Sequence, residues 1–341
     1  MMINVIKYPN KENWKEIIKR PVFENSSLDK VVRKILDKVK AKGDNAVRKY
    51  TKEFDGVKLK KLIVSEKEIK SAESLLSQEL KDAIQQAKSN IEKFHYSQIE
   101  ETKQIETMPG INCWRRSIGI EKVGIYIPGG SAPLFSTVLM LAIPATIAGC
   151  KEIILCTPPS KDGSINPAIL YTADLCGVTK IFNVGGVQAI AGMAYGTETI
   201  PKVFKIFGPG NQYVTAAKQL IQKEAISIDM PAGPSEVLVI ADETAIPEYV
   251  AADLLSQAEH GADSQVILLT TSELLVEKVQ QYIKEQLEEL PRKEIAKMAL
   301  ANSKIVLLNS IDEAIELSSL YAPEHLIVSC KNAEELAGQV I

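Results

Sequence analysis

An α/β class built on two similar, open and mainly parallel sheets is what this 341-residue sequence predicts, and three observations predict it. The first is a series of short, apolar, β-branched runs that each lead into glycine or proline: Val123 to Ile127 before Pro128-Gly129-Gly130, Ile153 to Cys156 before Pro158-Pro159, Lys180 to Val184 before Gly185-Gly186, and Lys205 to Phe207 before Gly208-Pro209-Gly210. The second is that helical stretches separate these runs. Strand, turn and helix in alternation imply right-handed crossovers and a parallel sheet, whose strand C-termini form an edge where ligands bind. The third is a recurrence of the pattern in Glu236 to Ile240, Gln265 to Thr270, Lys304 to Leu308 and His325 to Ser329.

Taken in order, residues 27 to 107 read as mainly helical. Leu28, Val31, Val32, Ile35, Leu36 and Val39 recur at helical spacing up to Gly43, and Ser65 with Glu68 forms a capping box that opens another helix. His95, among Glu92, Lys93 and Gln98, reads as a solvated histidine. From Ile111 the pattern turns toward strands. The expected organisation is one Rossmann-like unit from residues 1–120 with 235–341, including the N-terminal helices, and a second inserted as residues 121–234. At roughly 150 residues per domain the length suits two cores, and an apolar content of 45% can fill both.

The stretch from Ile228 to His260 concentrates the polar features. Ala232-Gly233-Pro234-Ser235 is turn-forming, Val237 to Ile240 is a strand buried on both faces, and Thr244 with Pro247 signals a helix running to about His260. On that helix Val250, Ala251, Leu254, Leu255 and Ala258 form a core face, while Asp253, Gln257 and His260 form a separate polar stripe. Gln257 and His260, three apart, can meet one ligand. Pro323-Glu324-His325 precedes a strand, and an adjacent acid and imidazole can divide general-base work. Gly208-Pro209-Gly210-Asn211 before a helix is a phosphate-friendly turn, although it lacks the third glycine of the dinucleotide fingerprint.

Composition narrows the partners. A net charge of −3 and a pI near 5.9 give no electrostatic reason to expect nucleic acid or a membrane surface, and suit a small neutral or zwitterionic ligand. The start, MMINVIKYPNKENW, lacks the apolar core of a signal peptide, and no run reaches the ~18 apolar residues of a membrane span, so a cytoplasmic protein is expected. The five cysteines, Cys113, Cys150, Cys156, Cys176 and Cys330, show no CxxC spacing. Cys156, at a strand's C-terminal end, is the best placed of them to act as a nucleophile, but Leu155 and Thr157 offer no charge partner to activate its thiol.

The stretch IDMPAGPSEVLVIADETAIPEYVAADLLSQAEH resembles the signature of histidinol dehydrogenases, which oxidise L-histidinol to L-histidine with NAD and zinc. Four further blocks resemble that family in the same order: GIYIPGGSAPLFSTVLMLAIPA, NVGGVQAIAGMAYGT, FGPGNQYVTAAK and YAPEHL. The resemblance implies that Glu324 activates water and His325 takes and returns protons. It implies NAD contacts at Tyr126, Gln188 and Asn211, and substrate contacts at Ser235, Gln257, His260, Glu324 and His325. Gln257 and His260 match zinc ligands, and the family adds an aspartate and a histidine from a segment that would follow Ile341. The zinc site is therefore expected to be incomplete in these residues, which should fold without metal, bind zinc weakly and oxidise histidinol little or not at all. A homodimer follows from the resemblance, with that segment completing the neighbour's site. The alternatives are another NAD-dependent amino-alcohol or polyol dehydrogenase of the same fold, or a catalytically silent ligand-binding fragment.

Overall fold

The computed structural model of the chain describes residues 3–20, 26–129, 133–224, 226–231 and 235–341. The chain divides into two units, Met1–Phe23 with Ala232–Ile341, and Glu24–Pro231. The first begins with β1 (Asn4–Lys7) and a short helix, α1 (Trp14–Ile17), that buries Trp14 and Ile17.

The inserted unit opens with α2 (Ser26–Phe54), α3 (Glu66–Ala72) and α4 (Gln78–Tyr96). The stripe Val32, Ile35, Leu36 and Val39 is buried, and α2 is interrupted at Gly43, whose φ of 49° departs from helical geometry. The Ser65 capping box forms: its hydroxyl accepts from the Glu68 N–H, and its own N–H donates to Glu68 Oε2 at 2.9 Å. An antiparallel hairpin, β2 (Gln104–Met108) and β3 (Ile111–Trp114), follows with every residue exposed. Then β4 (Lys122–Tyr126), α5 (Phe135–Ile147), β5 (Glu152–Thr157), α6 (Pro167–Leu175), β6 (Lys180–Asn183), α7 (Gly186–Tyr195), β7 (Lys205–Phe207), α8 (Gln212–Gln222) and β8 (Ser227–Ile228) alternate. The strands lie in the order β6-β5-β4-β7-β8, all parallel. Side chains alternate with period two. Ile153 and Leu155 of β5 join Val123, Ile84 and Leu139 on one face, while Ile154 and Cys156 join Leu36, Met193 and Ala217 on the other.

Residues 24–120 thus belong with the inserted sheet rather than with residues 235–341, which corrects the expected boundaries. An amphipathic helix declares that one face is buried, not what buries it. Here the stripe of α2 packs with residues of α7 and α8, and the link between α2 and α3 is tied to β6, Val64 N–H donating to Ile181 O at 2.9 Å and Asn183 N–H to Leu62 O at 2.8 Å.

The first unit resumes with β9 (Glu236–Ala241), α9 (Pro247–Ala258), β10 (Gln265–Thr270), α10 (Glu273–Glu289), α11 (Lys293–Ala301), β11 (Lys304–Leu307), α12 (Ile311–Tyr321), β12 (His325–Ser329) and α13 (Ala333–Ala337). Its sheet runs β1-β11-β10-β9-β12, again parallel throughout. Val237, Val239, Val266 and Leu268 face Val250, Leu254 and Val279, while Leu238, Ile240, Ile267 and Leu269 face Trp14, Leu317 and Tyr321. In each unit the chain steps away to one side, β4 to β5 to β6 and β9 to β10 to β11, and then crosses back to the other, β7 settling beside β4 and β12 beside β9.

Candidate active site

In the inserted unit the strand order reverses between β4 and β7, and a parallel sheet opens a crevice beyond the carboxyl ends of two such strands. Tyr126 ends β4. Its buried phenol accepts from the Gly186 N–H at 3.0 Å, at the first residue of α7, and burial pushes its pKa up to about 12, with the nearby Asp55 carboxylate also raising it. Two residues on, Gln188 is fully buried, yet neither Oε1 nor Nε2 has a partner. Two such groups left unsatisfied are expensive unless a ligand answers them. Asn211 is exposed and caps α8, its Oδ1 accepting from the Tyr213 and Val214 N–H groups at 3.1 Å each. The turn between β7 and α8 depends on Gly208, at φ 124°, where a Cβ would overlap the Tyr126 carbonyl. An ion pair holds it: Lys218 Nζ donates to Gly208 O at 2.8 Å, Gly208 N–H donates to Asp229 Oδ2 at 2.8 Å, and Lys218 and Asp229 bond each other.

In the other unit the candidate residues gather at the opposite edge, where strands begin. Ser235 immediately precedes β9 and its carbonyl accepts from Gln265 N–H at 3.1 Å; Ala232-Gly233-Pro234, like Gly130, lies outside the described residues. Glu324 precedes β12 and His325 opens it, both exposed, and Glu324 Oε2 accepts from the Glu236 N–H at 3.1 Å. Gln257 lies in the last turn of α9. His260 falls beyond the helix, which ends at Ala258 and is capped by Glu259, so its direction is set by the following turn rather than by the helical period. Its N–H still donates to Gln257 O, at 3.1 Å.

The donor chemistry of Gln257 and His260 fits a metal in part. Gln257 Oε1 is a buried acceptor without a donor, and the exposed His260 adds an imidazole. Among the described residues no three His, Cys, Asp or Glu side chains gather as a metal site, so these two supply half of a tetrahedral set. Cys156 is fully buried and burial pushes its thiol well above the ordinary range, which leaves it unreactive.

Sequence reasoning missed several polar residues that shape these edges. Lys218 had a readable signal, since it interrupts the buried stripe of Val214, Ala217 and Ile221 on α8. Asp55, whose buried Oδ2 has no partner and whose pKa is pushed up to about 6 by burial, gave none.

Two parallel α/β units, with glycine-turned strand ends in one and an acid–imidazole pair in the other, give the frame of an α/β enzyme. More narrowly, the chain belongs to the histidinol dehydrogenase family, whose model matches residues 18–341. It is 61% identical over 340 residues to the histidinol dehydrogenase of Bacteroides thetaiotaomicron, covering 100% of this chain and 79% of that protein. Against the histidinol dehydrogenase of Escherichia coli strain K12 the identity is 51% over 332 residues, covering 96% and 76%. The crystal structure of histidinol dehydrogenase from Elizabethkingia anophelis matches with a TM-score of 0.97 at 56% identity, covering 99% of this chain and 78% of that one.

Proposed function

We propose that the chain oxidises L-histidinol to L-histidine through the aldehyde, a four-electron reaction that uses two NAD and is the last step of histidine biosynthesis. Tyr126, Gln188 and Asn211 bind the dinucleotide, which when bound supplies the hydride acceptor. Ser235, Gln257, His260, Glu324 and His325 bind the substrate. One observation carries the reading within this family: Glu324 and His325 stand side by side and exposed at the head of β12, with the carboxylate tethered to a backbone N–H.

In the first oxidation His325 takes the carbinol O–H proton as hydride leaves the carbon. Water then adds to the aldehyde, Glu324 taking its proton while His325 returns its own to the carbonyl oxygen, which gives the gem-diol and frees the imidazole. The gem-diol then loses a second hydride from carbon as His325 takes a hydroxyl proton, leaving the carboxylic acid. Gln257, through its unpartnered Oε1, and His260, through its imidazole, would hold zinc, which when bound supplies a Lewis acid that orients the amine and imidazole of the substrate.

A homodimer in the cytoplasm is the setting of this reading. The exposed Ile105, Met108, Ile111 and Trp114 of the β2–β3 hairpin offer apolar surface for a second copy. No helix among the described residues is long and apolar enough to cross a membrane.

The test is His325→Asn. Turnover of histidinol should fall by a factor on the order of 10² to 10⁴ with NAD affinity unchanged; near-normal turnover would remove the pair from the chemistry.

A further inference from the structure

Glu236, at the head of β9, has a buried carboxylate, and such a charge needs a close partner. Arg20 supplies it, Nε lying 2.6 Å from Oε1 and Nη2 2.9 Å from Oε2. The same Nη2 donates to the carbonyls of Tyr321 at 2.8 Å and Ala322 at 3.1 Å, and the guanidinium carbon lies 4.3 Å from the centre of the Tyr321 ring. The Tyr321 hydroxyl donates to Gln265 Oε1 at 2.9 Å, and Gln265 Nε2 donates to Asn302 O at 3.0 Å and Lys19 O at 3.2 Å.

These contacts converge on a short link. Between the end of α12 at Tyr321 and the start of β12 at His325 lie only Ala322, Pro323 and Glu324. Ala322 sits in the left-handed region at φ 49°, ψ 70°, a conformation that a non-glycine residue holds only when its surroundings enforce it. Pro323 has a fixed φ. Arg20 holds the carbonyls at the entry to the link, and Glu236 works at both ends, its side chain on Arg20 and its N–H on the Glu324 carboxylate.

We propose that Arg20, acting through Glu236 and the carbonyls of Tyr321 and Ala322, is a positioning residue for the Glu324-His325 pair; the assignment rests on the catalytic role given to that pair above. A purely structural ion pair could serve the sheet anywhere along it. This one ends on the two carbonyls that precede the acid and imidazole, and only the planar five-donor guanidinium can hold two carboxylate oxygens and two carbonyls together.

The experiment is a kinetic cycle on the protein with Arg20→Gln, His325→Asn and the double variant, each checked by thermal unfolding. Arg20→Gln should lower kcat by roughly ten- to a hundredfold, as misplacement of reacting groups does, and leave KM for NAD within about twofold. In the His325→Asn background the same change should add less than about threefold, because one of the two groups it positions is gone and the pair no longer works as a unit. Arg20→Lys keeps a charge on Glu236, serves if the glutamine variant fails to fold, and should recover little of the lost kcat. An undiminished effect of Arg20→Gln in the His325→Asn background, or full rescue by lysine, overturns the assignment. A slow His325→Asn beside a normal Arg20→Gln defeats this inference alone, whereas a normal His325→Asn defeats the catalytic reading beneath it.

Discussion

Around β4 in the inserted unit and around β9 in the other, strands are arranged alike, each with a parallel partner on both sides and the strand order reversing there, yet the two units present different edges for use. Beyond the C-terminal ends of β9 and β12, Asp242 is buried and fully occupied: it accepts from Thr244 N–H at 2.9 Å, Thr244 Oγ1 at 2.6 Å and Lys331 N–H at 2.9 Å. Burial alone would raise its pKa, but these hydrogen bonds hold it below the ordinary carboxylate value. Around Tyr126 the balance is reversed, because Gln188 has no partner for its amide and Asp55 none for Oδ2. Topology creates a crevice in each unit, and satisfied polar groups close one of them. What marks an edge for a ligand is the polar capacity left unspent there.

The largest stability effect that sharpens this contrast lies under the Gly208 turn. Lys218→Met leaves Asp229 beside a buried surface without its cation, and should lower the unfolding free energy by about 3 kcal/mol, with NAD affinity falling as the turn loosens. Denaturant titration and NAD binding read the two effects; a destabilised variant that binds NAD normally would separate the clamp from the cofactor site.

Smaller effects distinguish the two aspartates, and they carry opposite signs. Asp242 has a lowered pKa in the folded state, so the stability it confers is present above the unfolded carboxylate value and lost as pH falls through the folded one. Asp242→Ala should therefore lose about 1 to 3 kcal/mol at neutral pH, and less in acid. Asp55 is raised to about 6, so at neutral pH its charge weakens the fold. Asp55→Asn should raise the melting temperature at pH 8, and the gain should shrink as pH drops below about 6, where both forms are neutral. Matching pH profiles for the two variants would erase the distinction between a satisfied and an unsatisfied crevice.

Much of the architecture was legible because the strands stand out in apolar content, and in the inserted unit also in the glycine or proline that follows; all eight runs named from the sequence are strands within a residue or two. Of the hairpin at 104–114 the turn toward strands at Ile111 announced β3, but β2 went unread, since a strand exposed on both faces carries no burial period. So did β1, a four-residue edge strand, and β8, with two residues. The domain boundary failed at the helices α2 to α4, whose apolar stripes name no partner. At the sites, Glu324, His325, Gln257 and His260 stood out through local motifs and family resemblance. Arg20 and Glu236 did not, because 216 residues separate them and only the fold brings them together.

The most direct test compares NAD binding by calorimetry in two variants, Gln188→Leu and Glu324→Gln. Filling the buried amide site with an apolar isostere should weaken NAD by about tenfold or more, the equivalent of ~1.4 kcal/mol, whereas Glu324→Gln should bind NAD within about twofold of the unaltered protein while losing turnover. Unchanged NAD affinity in Gln188→Leu, or a comparable loss in Glu324→Gln, would contradict the assignment of cofactor binding to the strand ends of one unit and of acid–base chemistry to the strand starts of the other.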